Sequence, residues 1–296
     1  MSTRRTFLTT VAAGLGASAI RPAWALAADK AEIKTALNGP VGLQLWSLRE
    51  YLPKDLAGTL AKVRAMGFRD VEGAGLWKHS VSDLRAALDK AGLRCTSAHM
   101  DLDRLRDKAA EAFAEAKAMG AAWVVCPWIP HDDKRGFTRE DALKAADTFN
   151  KVGKAAGEAG LRFGYHCHGY EFVPATEGTL FDTLAQAADP KAVTFQIDVF
   201  HAHHGGADVP KLIEKHKGRV TSLHLKDVRK GEKIVPGTPG AGPEVDVPVG
   251  TGQVDYPAVL RAAVAAGTSK YFVEDESKDP LAHIPLSIAY LEGVKL

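Results

Sequence analysis

The chain keeps repeating one phrase: an amphipathic helical segment, a glycine, then a short apolar run. Ala65-Met66-Gly67-Phe68 leads into Asp70-Val71-Glu72, and Ala91-Gly92-Leu93 into Cys95-Thr96-Ser97-Ala98-His99. Met119-Gly120 leads into Trp123-Val124-Val125-Cys126, Ala159-Gly160-Leu161 into Phe163-Gly164-Tyr165-His166, and Ala266-Gly267 into Tyr271-Phe272-Val273-Glu274. A glycine just past a helix takes the left-handed conformation that closes the last turn, so each phrase reads as helix stop and strand start. Residues 41–46, Val193–Asp198 and Val220–Leu225 complete a set of eight strand candidates.

Helical segments between the strands, with no hairpin signal, predict parallel βα units. The length suits the ~250 residues of a closed barrel. A doubly wound open sheet is the rival, but the first βα turn reads Trp46-Ser47-Leu48-Arg49 and lacks a Gly-rich phosphate loop. The expected fold is therefore α/β, a single (β/α)8 TIM barrel over residues 28–296. One stretch, 229–252, is irregular and rich in Gly and Pro; on a barrel it falls at the C-terminal rim, where a substrate lid is expected.

The first residues stand apart. Arg4-Arg5 precedes an acid-free apolar run over 8–20, and Ala23-Trp24-Ala25 or Ala25-Leu26-Ala27 supplies a cleavage site. The segment 1–27 resembles a twin-arginine signal, which implies the twin-arginine export machinery as a partner and a periplasmic destination. The apolar run falls short of the ~20 residues of a span, so no stable membrane insertion is expected. Removing 1–27 takes away Arg4, Arg5 and Arg21 and no acid, which turns 38 basic against 36 acidic residues into 35 against 36. A domain that close to neutral offers no footprint for nucleic acid. Cys95, Cys126 and Cys167 form no spaced framework and read as small core residues.

Barrel chemistry gathers on inward side chains at the C-terminal ends of strands, and strand alternation picks those positions out. On this parity Gln44 and Trp46 point inward from the first strand, Glu72 from the second, and Ser97 and His99 from the third. His166 and His168 follow from the fifth, Gln196 and Asp198 from the sixth, His224 and Lys226 from the seventh, and Glu274 and Glu276 from the eighth. A single terminal Asp or His is ordinarily a cap or a satisfied core group. His166, Asp198, His224 and Glu274 together are harder to explain as packing, because buried charges are expensive unless paired or metal-bound. Mixed nitrogen and carboxylate ligands suit Mn2+, Zn2+ or a related divalent ion rather than Ca2+. Trp46, Trp77, Trp123 and Trp128 are candidate sugar-stacking faces, with core packing the competing reading for each.

The segments Gly42-Leu43-Gln44-Leu45-Trp46-Ser47-Leu48-Arg49, Val71-Glu72, Ala98-His99, Tyr165-His166-Cys167-His168-Gly169-Tyr170-Glu171-Phe172, Gln196-Ile197-Asp198, His224-Leu225-Lys226-Asp227 and Val273-Glu274 resemble, in that order, the sugar phosphate isomerase/epimerase family. That family belongs to the xylose isomerase-like barrels, and the chain looks most like its exported branch. The resemblance implies one divalent metal at the ends of strands five to eight, matched by Asp198, His224 and Glu274. Sugar epimerases of this fold usually carry a glutamate on strand five; here His166 stands there and is read as the fourth ligand, with His168 and Glu171 as alternates.

The function so implied is a metal-dependent sugar isomerase or epimerase that moves a proton through an enediolate. Glu274, His166 and Lys226 would handle protons or the oxyanion, and Gln44, Trp46, Glu72, His99, His168, Glu171 and His201 would contact the sugar. Loss of a β-substituent from the same enediolate would instead make a lyase or dehydratase acting on a 3-keto-glycoside. A non-catalytic sugar-binding barrel is the reading from another class. Export and the lack of a basic phosphate cradle favour a free or oxidised glycoside over a phosphate ester. A DNA-repair endonuclease of this fold needs a basic groove, which the charge balance denies.

Overall fold

Strand and helix alternate because local chemistry starts and stops each helix. Ser80, Thr138 and Thr179 cap three helices and exchange bonds with Asp83, Asp141 and Asp182 respectively, a reciprocal arrangement worth ~1 kcal/mol at each start. At the other ends Gly92 (φ 69°) and Gly120 (φ 95°) turn left-handed just after the helices Val81–Ala91 and Ala109–Met119. A residue with a Cβ would adopt that conformation only under strain.

The computed structural model describes residues 31–132 and 134–296; the expected signal at 1–27 lies outside them. Its strands in chain order are β1 (Val41–Gln44), β2 (Asp70–Gly73), β3 (Arg94–His99), β4 (Trp123–Cys126), β5 (Arg162–His166), β6 (Val193–Asp198), β7 (Val220–Leu225), β8 (Asp227–Val228), β9 (Asp246–Val247) and β10 (Lys270–Val273). Parallel pairing closes β1-β10-β7-β6-β5-β4-β3-β2 into an eight-stranded barrel, as the repeated phrase predicts. The expectation of no hairpin fails at β8 and β9, which pair antiparallel at the base of the rim segment. Two-residue strands carry too little alternation to be seen in sequence. Among the described residues no helix is long and apolar enough to cross a membrane.

Outward residues such as Leu43, Val71, Val124, Ile197, Leu223 and Val273 are fully buried beneath the helices and form the main core. The lumen is layered by register: Gly42 faces Phe272, Phe272 faces His224, and His224 faces Asp198 on successive strands. Phe272 plugs the lumen below the polar residues and leaves Gly42 no room for a side chain. A Cβ there would come within 2.8 Å of the Phe272 ring and 2.9 Å of the Asp70 carbonyl oxygen. Gly42→Ala is accordingly expected to cost ~1–3 kcal/mol by overpacking, read as a lower melting temperature. An unchanged melt would show that the plug yields freely. Cys95, Cys126 and Cys167 are buried free thiols, as expected of core residues.

Candidate metal centre and substrate cavity

Asp198 ends β6 and caps the short helix Val199–His204. Its Oδ1 accepts the His201 backbone N–H at 2.7 Å, while Oδ2 is buried with no hydrogen-bond partner. His224, near the top of β7, turns Nδ1 toward Glu274 Oε2 at 2.9 Å and Asp198 Oδ2 at 3.9 Å. One ligand atom from each of Asp198, His224 and Glu274 lies within 4.8 Å of the others. Burial pushes Asp198 up to about 6, against the pull of Lys226 and His224. Burial disfavours a charged His224, yet Glu72 and Glu274 on either side raise it to about 10. Glu274 is held down to about 2 by Lys226 and His224 in spite of burial. A bare buried carboxylate oxygen costs stability, and two oxygens with one imidazole nitrogen make a donor set suited to a divalent cation. These residues fit a metal.

His166 does not join that group. It lies instead with His99 and His224, and its Nδ1 is bonded to Gln196 Oε1 at 3.0 Å. Of the expected quartet, Asp198, His224 and Glu274 stay together, while His166 pairs with His99 on the other side of His224. Burial and the neighbouring histidines keep His166 well below the usual imidazole range, hence neutral.

Three other expectations are corrected by depth and a fourth by pairing. Gln44 and Glu72, expected to contact the sugar, are wholly buried below the floor and bonded to each other at 2.7 Å. Glu171 is also wholly buried, with its carboxylate taken by the Tyr165 hydroxyl and the His168 N–H. Burial lifts Glu171 to about 7. Lys226 is ion-paired with Glu276 and lies 3.9 Å from Glu274, so its ammonium does not line the cavity.

Above the floor opens a cavity of about 520 Å3, lined by His99, His166, His168, His201 and Glu274, with Trp46 and Trp128 on its walls. The rings of His168 and His201 stand 4.7 Å apart, and the Nδ1 atom of each is buried without a partner. Burial, helped by Lys226, lowers His168 to about 3 and keeps it neutral. Lys226 Nζ lies 3.5 Å from His201 Nε2; an ammonium only donates, so His201 carries its proton on Nδ1. Trp46 is 41% exposed at the rim, with Nε1 3.4 Å from Glu276. Trp77 packs against Trp46, whereas Trp123 lies at the far end of the barrel between Arg162 and Lys270.

The rim segment forms a strap, and Pro239, Gly240 and Ala241 at its tip line the cavity. Its stems are tied down by Asp227, whose carboxylate accepts the N–H groups of Val228, Gly250, Gly252 and Val254. Ser97, Gln196 and Glu276 are inward by strand parity, which does not show what they do. Ser97 and Gln196 bond to Glu72, and Glu276 holds Lys226. Asp246 of β9, which sequence reasoning missed, accepts the Glu276 backbone N–H at 2.7 Å.

A model of the xylose isomerase-like TIM barrel family matches residues 60–292. An inosose dehydratase of Geobacillus thermodenitrificans (strain NG80-2) is 28% identical over 78% of this chain and 85% of its own length. A solved sugar phosphate isomerase/epimerase from Parabacteroides distasonis ATCC 8503 has a TM-score of 0.71 at 24% identity, covering 88% of this chain and 96% of that one. The IOLI protein solved with a bound zinc atom has a TM-score of 0.63 at 17% identity, covering 85% of this chain and 95% of that one. With a closed parallel barrel, polar residues at its C-terminal mouth and a match over most of its length, the chain belongs to the xylose isomerase-like TIM barrel family.

Proposed function

We propose that this chain is a metal-dependent lyase that removes water, or another β-substituent, from a keto-sugar or keto-polyol. The observation that carries the proposal is the asymmetry of the cavity floor: the carboxylate of Glu274 on one side, the neutral imidazole of His166 on the other. An epimerase working from both faces needs a second group that returns a proton to the opposite face, and Glu274, held ionised beside Lys226 and His224, has none to give; elimination on one face needs only the neutral imidazole, which takes the C–H proton and passes it to the departing oxygen. The similarity to an inosose dehydratase supports the same choice and moves the reading away from the isomerase or epimerase implied by the motifs.

Asp198, His224 and Glu274 would hold the cation, a set of three protein ligands that leaves coordination positions for substrate. When bound, a divalent ion would polarise the substrate carbonyl and acidify the neighbouring C–H. His166, neutral and engaged at Nδ1, accepts that proton at Nε2 and, as the imidazolium, returns it to the β-oxygen as the C–O bond breaks, so that water or the aglycone leaves and a C=C bond forms beside the carbonyl. The exposed face of Trp46 covers the apolar face of the ring. Among the described residues, the one arginine lining the cavity, Arg104, is paired with Glu115, and Arg49 at the rim is paired with Glu276; with its cations so occupied, the site favours an uncharged polyol or glycoside. The sequence signal adds the proposal that the enzyme works after export.

The test is to load purified protein with Mn2+ or Zn2+ and offer it inososes, 3-keto-glycosides, aldoses and ketoses under mass spectrometry. Elimination is expected to give a product lighter by one water or by the aglycone. Turnover to an isomer of unchanged mass would sink the lyase assignment. His166→Gln is expected to keep its full complement of metal while turnover falls by ~10²–10⁴-fold, the usual worth of a general base; joint loss of metal would instead return His166 to the ligand set.

A further inference from the structure

One carboxylate touches most of the floor without reaching the cavity. Glu72 is wholly buried and is met by Gln44 Nε2 at 2.7 Å, Ser97 Oγ at 2.6 Å, Gln196 Nε2 at 2.9 Å and His224 Nε2 at 2.6 Å. His99 Nε2 stands 3.2 Å away.

The directions of these bonds follow from what each group can donate or accept. Gln44 uses its Oε1 to accept the Trp46 N–H, so its Nε2 is the atom that faces Glu72. An ionised carboxylate only accepts, which makes Gln196 turn its Nε2 to Glu72 and its Oε1 to the other side. There Gln196 Oε1 meets His166 Nδ1 at 3.0 Å and His99 Nε2 at 2.9 Å. An amide oxygen also only accepts, so both rings carry protons on those atoms and His166 is left with a bare Nε2. On the opposite side His224 gives its Nε2–H to Glu72, and the nitrogen remaining to bind a cation is Nδ1, the one turned to Asp198 and Glu274.

We propose that Glu72 is the positioning residue that sets the ring tautomers of His224, directly, and of His166, through Gln196. One buried carboxylate thereby presents Nδ1 of His224 to the metal centre and Nε2 of His166 to the substrate cavity. What those nitrogens do rests on the lyase reading above; which nitrogens they are does not. A charge-assisted bond is about twice as strong as a neutral one, enough to outweigh the small intrinsic preference between imidazole tautomers. Carboxylates behind ligating histidines act in this way at metal centres generally; here the same group also reaches, through an amide, a ring outside the three-residue metal group.

Long-range 1H–15N spectra of the full chain, labelled at histidine, report tautomers directly. In the wild-type protein His166 is expected to be protonated at Nδ1 with or without zinc, and His224 at Nε2 once zinc is bound. Glu72→Gln can donate as well as accept, so His166 should shift to a mixture of tautomers and zinc affinity, measured by calorimetry, should fall ~10–100-fold. Glu72→Asp should recover part of both. Gln196→Leu cuts only the relay, so His166 should change while His224 and zinc affinity hold. Unchanged tautomers of His166 and His224 in folded Glu72→Gln would overturn the proposal. Should that variant fail to fold, an unchanged His166 tautomer in Gln196→Leu overturns it just as well. A wild-type protein that binds no zinc removes the metal reading, while the His166 spectra still decide the role of Glu72.

Discussion

Asp198→Asn is expected to make the metal-free protein more stable and at the same time strip it of its metal. Burial raises the Asp198 carboxyl to about 6 in the folded chain, so its charged form is disfavoured by folding. The sign follows from linkage: the folded state holds this proton more tightly than the unfolded state does. Stability from this group is therefore full at low pH and is lost as pH rises from about 4 through about 6. A rise of about two units corresponds to ~3 kcal/mol at neutral pH. An asparagine keeps the helix cap and removes the charge that causes the loss. Thermal melts of metal-free protein at pH 7.5 should show Asp198→Asn above the wild type. Calorimetric titration should show metal affinity reduced beyond the ~10–100-fold that outer partners command, with turnover lost in parallel. A variant that melts no higher and still binds metal tightly would remove Asp198 from the centre.

Metal uptake should also depend steeply on pH. Without a cation His224 bridges Glu72 and Glu274, and against the effect of burial their charges raise it to about 10. That raised value means the bridge adds stability in full below the ordinary imidazole range, and the contribution is lost as pH climbs toward about 10. A cation must displace the Nδ1 proton. Apparent affinity is expected to rise about tenfold per pH unit between pH 7 and 9, with about one proton released per ion. Titrations in buffers of different ionisation enthalpy count that proton. Below about 6 the protonation of Asp198 should add a second slope. An affinity flat from pH 7 to 9 would mean that His224 is not a ligand.

Asp198, His224 and Glu274 were legible in the sequence because two facts suffice for them: the period of a strand and the place where the strand ends. Glu72 passes the same two tests and yet sits one layer lower. Its neighbours across the lumen, Gln44, Ser97 and Gln196, close over its carboxylate, and a single strand's pattern does not show what adjoining strands place above a residue. His166 sits on the face that strand parity gives it, but the partner that engages its Nδ1 is Gln196, on the neighbouring strand. Sequence spacing does not reveal how a ring turns. Lys226 does face inward, beside His201 and Glu274, but the carboxylate that pairs with its ammonium is Glu276, a partner that strand parity does not single out.

The anchoring of the strap has a consequence for how a scaffold of this kind diversifies. Asp227 clamps both stems while the tip at Pro239, Gly240 and Ala241 meets the cavity. Substitutions or insertions at that tip can redraw the shape of the entrance without shifting the strands that carry Asp198, His224 and Glu274. Selection for a new substrate and selection to keep the ion therefore act on separate stretches of chain, and a lineage can exchange one while the other stands still.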